Sequence, residues 1–485
     1  MIINWKPNKT LNIPLYKQIV NYIKNKISTG QWDIGSKLPT QRELAKVFDV
    51  NRSTVVEALD ELKAEGLIEA NGRGGTIIVN NTWSLLASTP PPNWHEYVKS
   101  GLYKPNQPTI QAINRLEFKK EIIRLGTGEL SPELYPKEMM KRILNNVSNK
   151  IENLGYEEPK GALFLRQAIS KYLEKFNINA SPSSILIVSG SLQALHLISI
   201  GILHPYSTVL LESPSYLKSL YIFESVGMRL KRVSMDEYGI KADEIIENRS
   251  KNNTTLLYTI PTFQNPTGIV MSQERRNEII KACGKYRIPI IEDDAYRELS
   301  LEDEPPMPLK AIDRNGIVLY MGSISKTLAA GLRIGWLVGP QPVIERLGDI
   351  KMQIDYGASS LSQWVVAELL NSDLYEKYLI ELRRNLKIRR QIVLDILQKY
   401  FIDIATWNKP IGGFYIWLHL RKQISMKKLF ELSAKEGLLI NPGNIYDFSN
   451  HHCIRISYSY ASLEDLEKGL KRLAKLIIEC NKKSY

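Results

Sequence analysis

Short apolar runs that alternate with helical stretches dominate the chain beyond about residue 116. Such alternation is typical of a mainly parallel sheet wrapped in helices. From about Asn385 onward, long helical patterns and two short strands, Gly413–Leu418 and Cys453–Tyr458, predict a smaller α+β lobe. We therefore expect an α/β domain over residues 116–485. The apolar runs of its large sheet are Ile185–Val188, Val209–Leu211, Leu256–Ile260, Ile288–Ile291 and Ile317–Met321.

Residues 1–80 carry a different pattern. Leu15–Thr29 has apolar side chains at a helical period, and Thr40–Glu43 forms a capping box that starts a second helix. Asn51 is predicted to cap a third helix, with Val55, Leu59 and Leu62 facing inward. Two short strands joined by a glycine hairpin, Gly72–Gly75, follow. This order predicts a winged helix-turn-helix.

The segment 81–115 between these regions contains scattered prolines and little periodicity, so we interpret it as a linker. The net charge of +13 is compatible with a polyanionic partner. Residues 1–80 hold 11 Lys and Arg against 8 Asp and Glu, so charge alone does not locate that partner's site.

Three widely spaced cysteines show neither a disulfide framework nor a metal-ligand pattern. The amino terminus lacks the apolar core of a signal peptide, and no apolar stretch is long enough to span a membrane. We expect a cytoplasmic protein without a membrane segment and without a metal site.

The predicted third helix has the layout of a recognition helix, with polar residues at its amino end and apolar residues behind them. Each polar residue alone is typical of a solvated surface, but together on one motif they indicate binding to double-stranded DNA. Arg42 would reach phosphate or a guanine edge, and Arg73 on the wing would enter the minor groove. The candidate DNA-binding residues are Arg42, Asn51, Arg52, Ser53, Thr54, Gly72 and Arg73.

The segments Gly35–Ala45, Asn51–Val55 and Glu65–Thr76 resemble the amino-terminal pattern of the GntR family of regulators. The resemblance implies that Arg42, Arg52, Thr54 and the wing around Gly72 contact the operator. Val56 departs from the pattern, because the family often has a second basic residue at this position of the recognition helix.

The segment Gly322–Arg333 places Lys326 among small residues, with Arg333 seven positions later. A Ser-Lys dipeptide is ordinarily a surface feature. A lysine beside phosphate donors also suits a Schiff base with an aldehyde cofactor. The rest of the chain offers the remaining groups that such a cofactor needs.

Several polar residues follow predicted strands, where ligands sit in open α/β sheets. Asp293 would keep a pyridine nitrogen protonated, or it would simply cap a helix. Asn265 would donate to a phenolic oxygen, although an Asn-Pro pair is usually a turn. Ser191 would form an anion site at a helix start, and Tyr216 would stack on a ring or merely pack. Arg455 lies on an apolar strand, where a buried ion pair is the alternative to a ligand.

These motifs, in this order over about Leu125–Lys475, resemble the fold type I aminotransferases, which use pyridoxal 5'-phosphate. The resemblance implies that Lys326 forms the Schiff base, that Asp293 pairs with the pyridine nitrogen, and that Asn265 and Tyr296 bond the phenolic oxygen. Gly128 and Arg455 would receive the substrate carboxylate. The residues implied to hold the phosphate are Ser191, Gln193, Ser323, Arg333 and, from a dimer partner, Tyr156.

The two regions together resemble the MocR subgroup of GntR regulators, across nearly the whole chain. The first hypothesis is a transcription regulator that binds pyridoxal phosphate and senses it, or an amino acid or amine condensed with it. The resemblance implies a head-to-tail homodimer. The second hypothesis is a working aminotransferase that transfers an amino group from an amino acid to a 2-oxo acid. Lys326 and Asp293 would be its catalytic residues.

Overall fold

A computed structural model of the chain describes residues 3–70, 75–80, 94–152, 154–251, 253–448 and 452–482. The chain divides into two units, Met1–Leu102 and Tyr103–Tyr485, and each contains its own cluster of buried apolar side chains. The division falls inside the segment 81–115 that the sequence predicts as a linker. The exact domain boundaries stay predictions.

The first unit has the order of elements that the sequence predicts. The capping box is present: the Thr40 hydroxyl accepts from the Glu43 amide at 3.3 Å, and the Glu43 carboxylate accepts from the Thr40 amide at 2.8 Å. Asn51 occupies the N-cap position of the third helix, but its side chain makes no capping hydrogen bond, so that part of the prediction was wrong. The elements are α1 Leu15–Ser28, α2 Gln41–Phe48, α3 Arg52–Ala64, β1 Ile68–Ala70 and β2 Thr76–Ile78.

The core of this unit forms where α1, α3 and the strands meet. Val55, Leu59 and Leu62 of α3 are buried, as their helical spacing predicts. Strands β1 and β2 pair antiparallel, with Ile68 opposite Ile78. The predicted hairpin between them, including Gly72 and Arg73, lies outside the described residues.

The segment that the sequence predicts as a linker contains two helices, α4 Trp94–Ser100 and α5 Pro108–Leu116. Pro108 stands at the start of α5, where its missing amide hydrogen costs no hydrogen bond. Ile113 of α5 is buried against the second unit's core. The sequence pattern predicts no helix in this segment, because its apolar residues show little periodicity.

The remaining elements belong to the second unit. Its helices are α6 Lys137–Ser148, α7 Leu163–Glu174, α8 Ser191–Gly201, α9 Ala242–Asn248, α10 Gln273–Tyr286, α11 Leu309–Ile312, α12 Gln341–Asp355, α13 Ser360–Leu370, α14 Leu374–Tyr400, α15 Met426–Lys435 and α16 Leu463–Lys482. Its strands are β3 Ile123–Arg124, β4 Ile185–Val188, β5 Thr208–Ser213, β6 Arg229–Asp236, β7 Gly239–Ile240, β8 Thr255–Thr259, β9 Ile290–Asp293, β10 Val318–Ser323, β11 Gly335–Val338, β12 Ala405–Trp407, β13 Tyr415–Leu420, β14 Leu438–Leu439, β15 Asn441–Pro442 and β16 Cys453–Ser457.

The large sheet has the order β4-β11-β10-β9-β8-β5-β6-β7. Strands β10, β9, β8, β5 and β6 run parallel, whereas β11 runs antiparallel to both of its neighbours. The fold is therefore the mainly parallel α/β sheet that the apolar runs predict. Strands such as β4, β8 and β9 are buried along their whole length, because helices cover both faces of such a sheet.

The smaller lobe contains an antiparallel sheet of order β12-β13-β16-β15. Its predicted start near Asn385 falls inside α14, which continues to Tyr400. Strand β3 pairs with β14, so the chain just before the large sheet joins this lobe. Among the described residues, no helix combines the length and apolar composition needed to cross a membrane.

Candidate cofactor cavity and DNA-binding motif

A cavity of about 530 Å³ lies in the second unit, at the carboxyl ends of strands β4, β9 and β10. Ligand sites of open α/β sheets occur at this edge. Ten of the residues singled out in the sequence line it, although they come from segments far apart in the chain. They are Gly128, Ser191, Tyr216, Asn265, Asp293, Tyr296, Ser323, Lys326, Arg333 and Arg455.

Asp293 ends β9 with a buried carboxylate. Its Oδ2 accepts a hydrogen bond from the Tyr258 hydroxyl at 2.9 Å, whereas its Oδ1 is buried with no partner. Burial raises the pKa of Asp293 to about 6, although the Tyr258 hydrogen bond lowers it in part. The short 3-10 helix that follows is preceded by Tyr296 as its N-cap, so Asp293 does not cap it. A buried acceptor without a donor fits the protonated ring nitrogen of pyridoxal phosphate.

Lys326 follows β10 and points into the same cavity. Its Nζ donates to the carbonyl oxygen of Gly128 at 2.7 Å. The ring centroid of Tyr296 lies 5.9 Å from Nζ. Gly128 must lack a side chain, because a Cβ at this position would overlap the Tyr415 hydroxyl.

The predicted phosphate donors gather at the start of α8. Gly190 precedes this helix with φ +86°, a conformation that favours glycine. Arg333 donates from Nη2 to the Ser189 carbonyl at 2.7 Å, and a Cβ on Gly190 would lie 2.5 Å from this nitrogen. The hydroxyls of Ser323 and Ser325 are 2.9 Å apart nearby. The arrangement fits a phosphate, because a helix amino terminus and a guanidinium both attract an anion.

Two of the residues that were predicted to bind the phosphate do not line the cavity. Gln193 lies two positions after Ser191 on α8, and residues two apart on a helix point in different directions. Its amide instead accepts from the Ser189 amide at 2.8 Å and donates to Asp355 at 2.5 Å. Tyr156 is 88% exposed, with its ring 5.1 Å from that of Tyr356. Its predicted role belongs to the cavity of a partner chain, so it stays a prediction.

Tyr296, Asn265 and Tyr216 are the residues predicted to contact the cofactor ring and its phenolic oxygen. The Tyr296 and Tyr415 hydroxyls are 3.0 Å apart, and burial raises the pKa of Tyr296 well above its usual range. Tyr296 is therefore a neutral donor at physiological pH. The backbone oxygen of Asn265 accepts a hydrogen bond from the Tyr216 backbone amide at 3.0 Å. All three residues line the cavity, and their contacts with a cofactor stay predictions.

Arg455 is buried on β16 without an ion pair. Its Nη1 donates to Asn265 Oδ1 at 2.8 Å and its Nη2 to the Gly126 carbonyl at 2.7 Å, while Nε has no partner. The guanidinium stacks on Tyr415 and Tyr446, 4.2 and 4.8 Å from their ring centroids. No carboxylate of the described residues lies within 4.0 Å, so the buried ion pair considered as an alternative is not present. A buried cation of this kind is a ready partner for a ligand carboxylate.

The sequence did not indicate four further residues of the site, Tyr258, Tyr415, Asn441 and Tyr446. Asn441 lies beside Arg455 on the neighbouring strand β15, and its side chain donates to the Tyr446 hydroxyl at 2.9 Å while its Oδ1 has no partner. A signal was available for Tyr415 alone. It follows the pair Gly412-Gly413, and Gly413 has φ +71°, which marks a tight approach of the backbone.

The DNA-binding candidates of the first unit lie at the amino ends of α2 and α3. Asn51, Arg52 and Ser53 are exposed, as is Arg42, and Thr54 is half-buried. The Arg52 guanidinium donates from Nη2 to Gln41 Oε1 at 3.0 Å, so Gln41 holds it at the surface. Polar groups are therefore exposed at the start of α3, the predicted recognition helix, where base edges would lie.

Comparison with known proteins agrees with the predicted helix-turn-helix of the first unit and with the predicted aminotransferase-like fold of the second. The model of the family described as aminotransferase class I and II matches residues 120–473, and that of the bacterial regulatory proteins of the gntR family matches residues 15–78. The chain is 52% identical over 470 residues to the uncharacterized HTH-type transcriptional regulator YisV of Bacillus subtilis, covering 97% of each chain. It is 37% identical to the HTH-type transcriptional regulator NorG of Staphylococcus aureus, over 90% of this chain and 98% of NorG.

Solved aminotransferases share the fold of the second unit. Kynurenine aminotransferase of Pyrococcus horikoshii aligns with a TM-score of 0.73 and 32% identity, over 78% of this chain and 96% of that enzyme. The multiple substrate aminotransferase of Thermococcus profundus aligns with a TM-score of 0.75 and 28% identity, over 81% of this chain and 100% of the enzyme. The chain therefore belongs to the GntR family of transcriptional regulators, in the MocR subgroup that joins a GntR helix-turn-helix to an aminotransferase class I and II domain.

Proposed function

We propose that this regulator binds pyridoxal 5'-phosphate in the cavity of its second unit and senses an amino acid or amine there. One observation carries the proposal: Arg455 is buried without an ion pair in the same cavity as Lys326 and the unpartnered Oδ1 of Asp293. The buried Asp293 Oδ1 lacks the proton donor that the cofactor would supply, and Arg455 lacks the carboxylate that an amino acid would supply. The cofactor would supply an aldehyde for amines and a ring that accepts electrons.

The residues of the cavity divide into four groups by their proposed roles. Lys326 would bind the aldehyde carbon, and Asp293 would hold a proton on the ring nitrogen. Gly128 and Arg455 would bind the carboxylate of the sensed compound. Asn265 and Tyr296 would bond the phenolic oxygen, and Tyr216 would stack on the ring. The proposed phosphate ligands are Ser191, Ser323, Arg333 and, from the partner subunit, the equivalent of Tyr156.

Two copies of the DNA-binding unit would act together in a dimer. A head-to-tail homodimer would present two copies of α3 to two operator half-sites in double-stranded DNA. The sensed compound can alter this binding only if it favours one arrangement of the dimer over another. A regulator of chromosomal DNA works in the cytoplasm, and we propose this location for the chain.

The second candidate function is transamination between an amino acid and a 2-oxo acid. It is favoured by the complete set of groups around the cavity, because Lys326 Nζ would also be placed to move the proton at the substrate Cα. Sensing and turnover need almost the same residues. Experiment must therefore separate them.

The test is absorbance spectroscopy of the cofactor-loaded protein against a panel of amino acids and amines, with 2-oxo acid release assayed in the same samples. A spectral change without 2-oxo acid would support sensing, and it would name the class of compound. Catalytic release of 2-oxo acid would favour the aminotransferase. If the purified protein took up no pyridoxal phosphate, or if no compound changed its spectrum, both the sensing and the enzyme proposal would fail.

A further inference from the structure

Two carboxylates of the cavity have no ion-pair partner among the described residues. Under the proposed function, Arg333 faces phosphate, Arg455 faces a carboxylate, Lys326 meets the aldehyde and Asp293 meets the ring nitrogen. Glu117 and Glu129 also line the cavity, and neither forms an ion pair with any described residue. The six charged residues that line it are Glu117, Glu129, Asp293, Lys326, Arg333 and Arg455.

Glu117 has the stronger position of these two carboxylates. It is the C-cap residue of α5 and only half-exposed, whereas Glu129 is exposed. The carboxyl end of a helix carries partial negative charge, which adds to that of the side chain. The arrangement raises the local affinity for a cation. Among the described residues, the Thr127 hydroxyl is the one hydrogen-bond donor to the Glu117 carboxylate, at 3.1 Å.

A buried acceptor lies close to Glu117. Asn441 is 5% exposed and lines the cavity, and its Oδ1 has no hydrogen-bond partner. Its side chain packs against Gly126, the residue before Thr127, because a Cβ on Gly126 would overlap it. Asn441 also contacts Tyr446, whose pKa is raised to about 12 by burial and further by the charge of Glu117. Two acceptors of the cavity, the Glu117 carboxylate and Asn441 Oδ1, therefore lie near Tyr446.

An apolar stripe leads to this region. Ile110 and Ile113 of α5 line the cavity, and Glu117 follows Ile113 by four positions, so the three lie on one face of the helix. A methylene chain would pack on the two isoleucines, and a positively charged nitrogen at its end would reach Glu117. Arg455 stacks 4.8 Å from the Tyr446 ring centroid and would hold a carboxylate.

We infer that the sensed compound is a diamino acid, with a carboxylate for Arg455, one amine for the cofactor and a second basic nitrogen for Glu117 and Asn441. This inference rests on the proposed function and names the class of ligand for the same cavity. Acidic amino acids would be disfavoured, because their side-chain carboxylate would meet Glu117 and Glu129.

The experiment compares basic amino acids with neutral compounds of similar shape, using the full-length, cofactor-loaded protein. L-ornithine is titrated against L-norvaline and L-lysine against L-norleucine, with L-glutamate as the acidic case. Affinities are measured by cofactor absorbance and by calorimetry. We expect at least one basic compound to bind at least tenfold more tightly than its neutral counterpart, and L-glutamate to bind most weakly.

The variant Glu117→Gln removes the charge but keeps an oxygen that can accept from Thr127. It should reduce the preference for the basic compound to within about threefold and leave the affinity for the neutral one unchanged. The matched control Glu174→Gln removes an exposed carboxylate at the end of α7, outside the cavity, and should retain the full preference.

Two results would overturn the inference while the proposed function stands. In the first, the neutral compounds change the absorbance and bind as tightly as the basic ones. The second is a preference that Glu117→Gln leaves intact. If Glu117→Gln did not fold, the comparison of compounds on the unmodified protein would still decide. An absorbance that no amino compound changes would instead refute the proposed function itself.

Discussion

Replacing Asp293 with asparagine should stabilise the cofactor-free protein while it abolishes tight cofactor binding. The carboxylate is buried, and Tyr258 supplies its one side-chain hydrogen bond. Burial raises the pKa of Asp293 from its ordinary 3.8 to about 6. Below about pH 4, both the folded and the unfolded chain carry the proton, so the group contributes nothing to the pH dependence.

The size of the stability change follows from the difference between the pKa of Asp293 in the folded chain and in the unfolded chain. Between pH 4 and 6 the unfolded chain loses the proton while the folded chain keeps it, so the free energy of unfolding falls as pH rises. Each pH unit is worth about 1.4 kcal/mol, so the full penalty is about 3 kcal/mol above pH 6 and about half of that at pH 5. Asparagine still accepts from Tyr258 but has no charge to bury. The variant should therefore gain up to about 3 kcal/mol at pH 8.

The assay is urea unfolding of the cofactor-free proteins at pH 5 and pH 8. Other buried acids, such as Glu212 and Glu292, titrate in both proteins and largely cancel in the comparison. The control is Asp403→Asn, which removes an exposed carboxylate and should change stability by less than about 0.5 kcal/mol. A gain that is equal at pH 5 and pH 8, or no gain at all, would refute the reasoning from buried charge.

Three further predictions concern single side chains. Lys326→Ala should remove the visible absorbance of the lysine-bound cofactor and leave the circular dichroism spectrum unchanged; retained absorbance would disprove the Schiff-base assignment. Arg52→Ala should weaken operator binding by about 1 to 3 kcal/mol in a gel-shift assay, and an equal loss on unrelated DNA would make Arg52 a phosphate contact instead. Arg455→Gln should weaken binding of amino acids by at least about tenfold, but not that of simple amines, because it removes the charge that faces a carboxylate. An equal loss for both classes in the absorbance titration would contradict this role.

The parts of the fold that depend on local pattern were predictable from the sequence. Strand β4 is a continuous apolar run, and the capping box at Thr40 is a short-range signal, so both appear where the sequence predicts them. The residues at the carboxyl ends of the strands, including Asp293 and Ser191, meet because parallel strands end at one edge of the sheet. Topology alone brings these residues together.

The parts of the site that depend on contacts between distant segments were not predictable. Tyr258 lies on a predicted strand, but its bond to Asp293 depends on the pairing of β8 with β9. Asn441 meets Arg455 through the register of β15 on β16, and Glu117 reaches the cavity only because α5 forms after Pro108. The spacing of apolar residues and the helix or strand propensity of single residues carry no information on which distant segments pair. For Gln193, the sequence itself argued against the implied phosphate contact. Residues two positions apart on a helix, such as Ser191 and Gln193, point in different directions.

Helix α5 is both a wall of the cavity and the first helix after the chain leaves the DNA-binding unit. A compound that packs on Ile110 and Ile113 would therefore contact the helix of the second unit that is nearest in sequence to the DNA-binding unit. Occupancy of the cavity would thus be felt first by the element through which the chain enters the second unit, with no need to alter α3 itself.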